Sequence, residues 1–292
     1  MQVFEGIWLP LITPFHNGEI DLAAARRLVH HYIEAGIHGF VVCGTTGEAA
    51  TLDEFEQLAL LDAVLEAANG RRPVVMGLGS NDTRKALRML GTIQRRPIAG
   101  LLTVAPYYSR PSQIGIEMHF RAIAAATPLP LILYNIPYRT GVNISLDTVK
   151  ALADVPTIVA IKESGGDMNQ LMDLIRETRL EVLSGEDHLI YSTLCLGGSG
   201  AIAAAAHLRP DLHVRVYESF RSGNLALARD LAAQLLPLTR ALFSEANPGP
   251  VKSLLARQGH ISEELRLPMT PASTACRDRV SREWAALEHG RL

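Results

Sequence analysis

Short apolar runs alternate with longer segments of helical period along almost the whole chain. The runs are IWLPLIT from Ile7, GFVVCG from Gly39, PVVMGLG from Pro73 and AGLLTVAP from Ala99. They continue with LPLILYNIP from Leu129, IVAIKES from Ile158, EVLSGE from Glu181 and GAIAAAA from Gly200. They are apolar throughout rather than alternating, as parallel strands covered on both faces are. The segments between them repeat their apolar positions at helical spacing. DLAAARRLVHHYIEAG, Asp21 to Gly36, opens on an aspartate suited to an N-cap and closes on a glycine suited to the C-terminal stop. DEFEQLALLDAVLEAANG, Asp53 to Gly70, repeats the design, with acids in its first turn where the helix dipole favours them. Eight strands at intervals of about 28 residues, with helices in the gaps, predict parallel βα units. The count of eight predicts an α/β fold closed into a (β/α)8 TIM barrel rather than an open sheet. No GxGxxG follows the first run, which lowers the dinucleotide-binding alternative.

After Ala206 the strand pattern stops. Pro210 to about Leu287 reads as several helices, with breaks near Ser222–Asn224 and Asn247–Pro250. The expected organisation is residues 1–209 as the barrel carrying the active site and residues 210–292 as a C-terminal helical appendage packed on it. Such barrels place their chemistry at the C-terminal ends of the strands.

Composition narrows the function classes. The 292 residues are 48% hydrophobic and carry a formal net charge of −2. That balance offers no basic field for nucleic acid. No apolar run approaches the roughly 20 residues of a membrane span. The N-terminus, MQVFEGIWLPLITPF, lacks the features of a signal peptide, so a cytoplasmic protein is expected. Cys43, Cys195 and Cys276 are too few and scattered for a disulfide framework or a zinc site. Metal chemistry has no support in the sequence.

The strand ends hold the candidate chemistry. Strand two ends in GTTGEAATL, Gly44 to Leu52. Thr45 and Thr46 put hydroxyls and N–H groups just before an expected helix N-terminus, a favourable place for an anion. A glycine turn with a capping threonine explains the same residues. Strand four ends in TVAPYYSRPSQ, with Tyr107 and Tyr108 as packing residues or as phenols at the rim. Strand five ends in YNIPYRTG, which supplies the phenol of Tyr134 and the guanidinium of Arg139. Arg139 is either a surface ion-pair partner or a bidentate carboxylate binder. Strand six ends on Lys162. A snorkelling lysine with its head in solvent is one reading. The other is an amine held in an apolar pocket, its pKa lowered by desolvation, able to attack a carbonyl and form a Schiff base. Hydroxyls at Tyr134, Thr45 and Tyr108 are the plausible proton relay for that chemistry.

In order, GTTGE, PYYSRPSQ, YNIPYRTG, IKES, LSGED, GGSGAI and LRLPMTP resemble the motifs of the dihydrodipicolinate synthase / N-acetylneuraminate lyase superfamily. The resemblance runs from about Gly6 to Pro271. It implies a class I aldolase-type lyase that forms an imine with pyruvate and needs no cofactor. The closest branch condenses pyruvate with aspartate semialdehyde on the route to diaminopimelate and lysine. The alternative is a pyruvate-dependent aldolase or dehydratase for a 2-keto-3-deoxy sugar acid; a non-catalytic pyruvate-binding paralogue is a third reading. Carried across by motif, Lys162 forms the Schiff base and Tyr134 is the general acid/base. Thr45 links Tyr134 to Tyr108, which reaches into a neighbouring subunit's site. Thr46 holds the pyruvate carboxylate and Arg139 the semialdehyde carboxylate. Gly185 and Ile202 line the site with backbone carbonyls. The family implies a homotetramer built as a dimer of dimers.

Some positions depart from the family pattern. Tyr138 precedes Arg139 where small residues are common, and His207 stands where asparagine is usual. Gly249 interrupts the NPxPVK-type stretch. Lysine-inhibited members carry a glutamate where this chain has Lys85, and Ala49, Glu54 and Gln57 fill the other effector positions, with Asn81 and Tyr107 retained. A cation facing the effector's ammonium repels it. Weak or absent inhibition by lysine is therefore expected.

Overall fold

Each of the eight apolar runs forms a strand, and the eight close on one another. In the computed structural model, which describes residues 4–289, the barrel strands are β1 (Gly6–Pro10), β2 (Gly39–Val42), β3 (Val74–Gly77) and β4 (Gly100–Val104). They continue with β5 (Leu131–Asn135), β6 (Ile158–Glu163), β7 (Glu181–Ser184) and β8 (Gly200–Ile202). All neighbours pair in parallel, and β8 and β2 both pair with β1, which closes the barrel. The strand residues are almost all buried because one face packs into the barrel and the other against helices. The interior side chains include Trp8, Val41, Val75, Leu102, Ile132, Ala160, Leu183 and Ile202. They fill the barrel as a packed core and leave chemistry to the strand ends.

The helices are α1 (Leu22–Glu34), α2 (Glu54–Ala68), α3 (Thr83–Ile93), α4 (Gln113–Ala125) and the single turn α5 (Pro137–Thr140). Then come α6 (Leu146–Ala153), α7 (Met168–Glu177), α8 (Ile190–Cys195), α9 (Pro210–Arg221), α10 (Leu225–Leu242), α11 (Gly249–Arg257) and α12 (Thr274–His289). The cap chemistry read from the sequence is present: Asp21 accepts from Ala24 N–H, and Asp53 and Glu56 form a reciprocal capping box. α9 packs against β1, α8 and α10. It serves the helical ring and the C-terminal region alike.

One element escaped the strand pattern. Phe15–His16 and Glu19–Ile20 pair as a two-rung antiparallel hairpin. Asn17 and Gly18, at its turn, have φ of 53° and 80°. Asn-Gly is the preferred pair for such a turn, so the signal was present in a stretch too short to register as a strand. No helix among the described residues is long and apolar enough to cross a membrane.

Candidate active site

Two adjacent strands carry the centre of the site. β5 and β6 pair so that Tyr134 lies beside Lys162 and Asn135 beside Glu163. Strand alternation sends the first pair into the barrel mouth and the second outward. Lys162 is 6% exposed and Tyr134 5%, and the lysine Nζ lies 4.3 Å from the centroid of the Tyr134 ring. The amine is therefore enclosed beside a phenol and does not snorkel. The far side of its chain explains Gly185: a Cβ there would fall 2.8 Å from Lys162 Cε and 1.9 Å from Ser164 Oγ. Only glycine lets the lysine pass.

Two carboxyl groups, Glu186 and Asp187, lie within electrostatic reach of this amine. Burial pushes the Asp187 carboxyl up to about 7, against the opposing effects of the Ala205 N–H and the Lys162 charge. Glu186 is likewise raised by burial, with Lys162 and Arg139 opposing. Both residues end the LSGED motif, yet neither was singled out from sequence, because an acid in a glycine turn usually reads as solvated.

The outward pair holds the inward one. Asn135 Nδ2 donates to both oxygens of Glu163 at 3.0 Å and to Asn143 Oδ1 at 2.7 Å, while Asn135 Oδ1 accepts from Ile144 N–H at 3.0 Å. Glu163 also accepts from Gly165 N–H at 2.6 Å and from Gln170 at 3.3 Å. Both polar atoms of the Asn135 amide are engaged, which fixes β5 against β6 immediately behind Tyr134 and Lys162. Burial pushes Glu163 up to about 7, opposed by those same donors.

The GTTGE loop is built differently. Thr46 is buried and its Oγ1 accepts from Asn247 Nδ2 at 2.9 Å. Gly47 O accepts from the Thr13 hydroxyl at 2.6 Å. Glu48, in left-handed backbone at φ 52°, forms a buried ion pair with Lys252, whose Nζ also donates to Glu264 O at 2.8 Å. Burial works against both charges, and each partner's charge works for the other. The Phe15 ring faces both cations, its centroid 4.3 Å from Lys252 Nζ and 4.6 Å from the Arg266 guanidinium carbon. The helix N-terminus expected after Thr45–Thr46 is absent. A three-residue 3-10 turn, Ala49–Thr51, follows instead, and α2 starts only at Glu54, where Asp53 caps it. Any anion held here is held by the loop's own groups.

The rim is exposed. Tyr108 is 89% exposed with φ 70°, and its N–H donates to Thr140 O at 3.3 Å. Among the described residues, no hydrogen bond joins Thr45 to Tyr134 or to Tyr108. Arg139 lies on the α5 turn with its guanidinium carbon 5.7 Å from the Tyr138 ring centroid. Although Tyr138 is 66% exposed, partial desolvation at its hydroxyl, with Glu186 and Tyr134 nearby, shifts this phenol upward, and Arg139 partly offsets the shift. Tyr138 thus belongs to the mouth together with Arg139 and Glu186. Ile202 is buried at the end of β8, next to Trp8.

His207 does not join the site chemistry. Its Nδ1 lies 2.8 Å from Ala204 O and its Nε2 accepts from Ile12 N–H at 3.2 Å. A ring that donates through Nδ1 and accepts through Nε2 is neutral, and burial lowers its pKa to about 4. It ties β8 to the end of β1. Of the effector positions, Lys85 is exposed on α3 and Glu54 accepts from the Thr92 hydroxyl. Gln57 donates to Ala49 O and Leu52 O. Among the described residues, no cluster of three or more His, Cys, Asp or Glu could hold a metal ion.

The profile of the Dihydrodipicolinate synthetase family matches residues 3–287. A 4-hydroxy-tetrahydrodipicolinate synthase of Syntrophus aciditrophicus is 42% identical, covering 96% of this chain and 97% of that protein. The structure of dihydrodipicolinate synthase from Thermotoga maritima superposes with a TM-score of 0.96 at 36% identity, covering 98% of this chain and 99% of that one. The synthase of Cyanidioschyzon merolae, solved with lysine bound, gives a TM-score of 0.95 at 37% identity, with 98% of each chain covered. With motifs, barrel and alignment agreeing over nearly its whole length, the chain belongs to the dihydrodipicolinate synthetase family.

Proposed function

We propose that this chain is a 4-hydroxy-tetrahydrodipicolinate synthase, a cytoplasmic lyase condensing pyruvate with L-aspartate-4-semialdehyde in diaminopimelate and lysine biosynthesis. The observation that carries the chemistry is the enclosed Lys162 amine 4.3 Å from the Tyr134 ring at the strand ends. In its free-base form the amine attacks the pyruvate carbonyl, and loss of water gives the imine. The imine draws electrons from the adjacent methyl carbon, which loses a proton and attacks the semialdehyde carbonyl. The semialdehyde's own amine then closes on the imine carbon and releases Lys162. Tyr134 moves protons in these steps, with Thr45 and Tyr108 extending the relay. Thr46 takes the pyruvate carboxylate and Arg139 the semialdehyde carboxylate, while Gly185 and Ile202 offer backbone carbonyls. No cofactor enters the scheme.

Tyr108 supports assembly as a homotetramer of paired dimers: its phenol is exposed on left-handed backbone, and among the described residues its hydroxyl makes no hydrogen bond. In that assembly it completes the relay of a neighbouring subunit. Borohydride reduction with pyruvate should add the reduced pyruvate mass to Lys162. A coupled assay with dihydrodipicolinate reductase and NADPH should give turnover on the order of 1–10³ s⁻¹. Absence of the adduct sinks the imine reading. An adduct without turnover moves the chain to the sugar-acid aldolases or dehydratases, with Tyr138 crowding Arg139 as the cause. Lysine sensitivity is weak or absent on this reading, since Lys85 places a cation where the effector's ammonium would lie. Half-inhibition by lysine at or below millimolar concentration overturns that part.

A further inference from the structure

We infer that Asn247, in the C-terminal helical region, is a positioning residue that fixes the Thr46 hydroxyl as a hydrogen-bond donor to the substrate carboxylate. The inference rests on the assignment of Thr46 to that carboxylate and adds what sets its direction. An amide nitrogen can only donate. In the bond from Asn247 Nδ2 to Thr46 Oγ1, at 2.9 Å between two buried side chains, the threonine oxygen is therefore the acceptor. Among the described residues the Thr46 hydroxyl donates to no protein group, so its own proton is left for an anion. The opposite amide orientation would take up that proton and present a lone pair to the carboxylate instead.

The surroundings make this a built arrangement. Asn247 is 7% exposed, and its buried Oδ1 has no protein partner among the described residues. Five residues further on, Lys252 grips Glu48. The segment from Asn247 to Lys252 therefore holds the GTTGE loop at two points, on either side of Gly47, whose carbonyl is held by Thr13. A hydroxyl fixed in this way is oriented before substrate arrives, which is how a supporting residue contributes to binding without touching ligand.

The test compares Asn247→Asp, Asn247→Ser and Thr46→Val by steady-state kinetics. The aspartate keeps the shape but, when ionised, accepts the Thr46 proton and repels the substrate anion. It should raise KM for pyruvate roughly a hundredfold, with the serine variant nearer roughly tenfold. In both, kcat and KM for the semialdehyde stay within about threefold, a split that a collapsed site would not give. The aspartate effect should shrink as pH falls, because protonation restores a donor toward Thr46. The serine variant carries the test where the aspartate variant does not fold. If Thr46→Val leaves KM for pyruvate unchanged, the carboxylate assignment fails and takes this inference with it. If Thr46→Val raises KM while the Asn247 variants that fold do not, the Asn247 inference alone is overturned.

Discussion

On the β5–β6 side of the mouth, the residues that hold the chemistry lie close in sequence: Asn135 and Glu163, which brace Tyr134 and Lys162, are 28 residues apart. On the β2 side, Thr46 depends on Asn247, 201 residues away, and Glu48 on Lys252. The first region is two neighbouring strands hydrogen-bonded to each other, with the Asn135–Glu163 pair behind Tyr134 and Lys162. The second is a loop with no helix of its own to organise it, held by the C-terminal helical region. The contrast teaches that this barrel fixes the Lys162–Tyr134 pair by local register and the GTTGE loop by long-range docking. Damage to the two regions should accordingly look different, one losing rate and the other losing stability and substrate affinity.

Tyr134→Phe is the sharpest test of the local side. The ring still packs on Lys162, so only proton transfer is lost. A fall in kcat of roughly 10²–10⁴ is expected, with borohydride trapping slowed and the urea midpoint little changed. A variant that loses stability instead would show that the β5–β6 side is not self-sufficient.

Lys252→Met attacks the remote support. It leaves Glu48 as a buried carboxylate without its cation, an arrangement that costs about 3–5 kcal/mol. Chemical unfolding should show that loss, and adding Glu48→Gln in the same chain should recover much of it by removing the stranded charge. A single variant as stable as the wild type would mean that the loop does not lean on the C-terminal region.

Glu163→Gln probes the brace through pH. The folded value of about 7 exceeds the ordinary 4.5, so the folded state holds the extra proton between them. Stability contributed by that proton is present below about 4.5 and is lost as pH climbs through 7, to a ceiling of about 3 kcal/mol. Glutamine does not titrate, so the variant should lose less stability between pH 5 and pH 8, by at most about one proton's worth of slope, when urea midpoints are compared. Equal slopes in the two proteins would place the Glu163 carboxyl outside that window.

Legibility in the sequence follows the same division. The eight strands and Lys162 beside Tyr134 could be read because each rests on a short apolar pattern and a residue at its end. The Asn135–Glu163 brace was missed although both residues sit inside quoted motifs: a buried polar pair on the helix side of a strand leaves no periodic trace. Asn247 and Lys252 were harder still. Nothing local marks a lysine in PVKSLL as the partner of a glutamate 204 positions earlier, and only the packed structure brings them together. The missing helix start after Thr46 has a local cause, since the Asp53 capping box draws the beginning of α2 onto itself.

The smallest effect concerns how closely the remote support is packed. Gly249 is the first residue of α11, two positions after Asn247. A Cβ placed there would meet Thr270 O at 3.4 Å and Ala272 N at 3.6 Å, which is ordinary contact without overlap. Its backbone is not in the left-handed region, so alanine can adopt it without strain while lowering the entropy of the unfolded chain. Gly249→Ala should therefore raise stability by about 0.4–1 kcal/mol, with KM for pyruvate unchanged. A loss of stability would mean that the seam between α11 and residues 270–272 has no room for a methyl group. A gain accompanied by higher KM would mean that even a small shift of this helix start reaches Thr46 through Asn247, and would make the long-range half of the site the more finely set of the two.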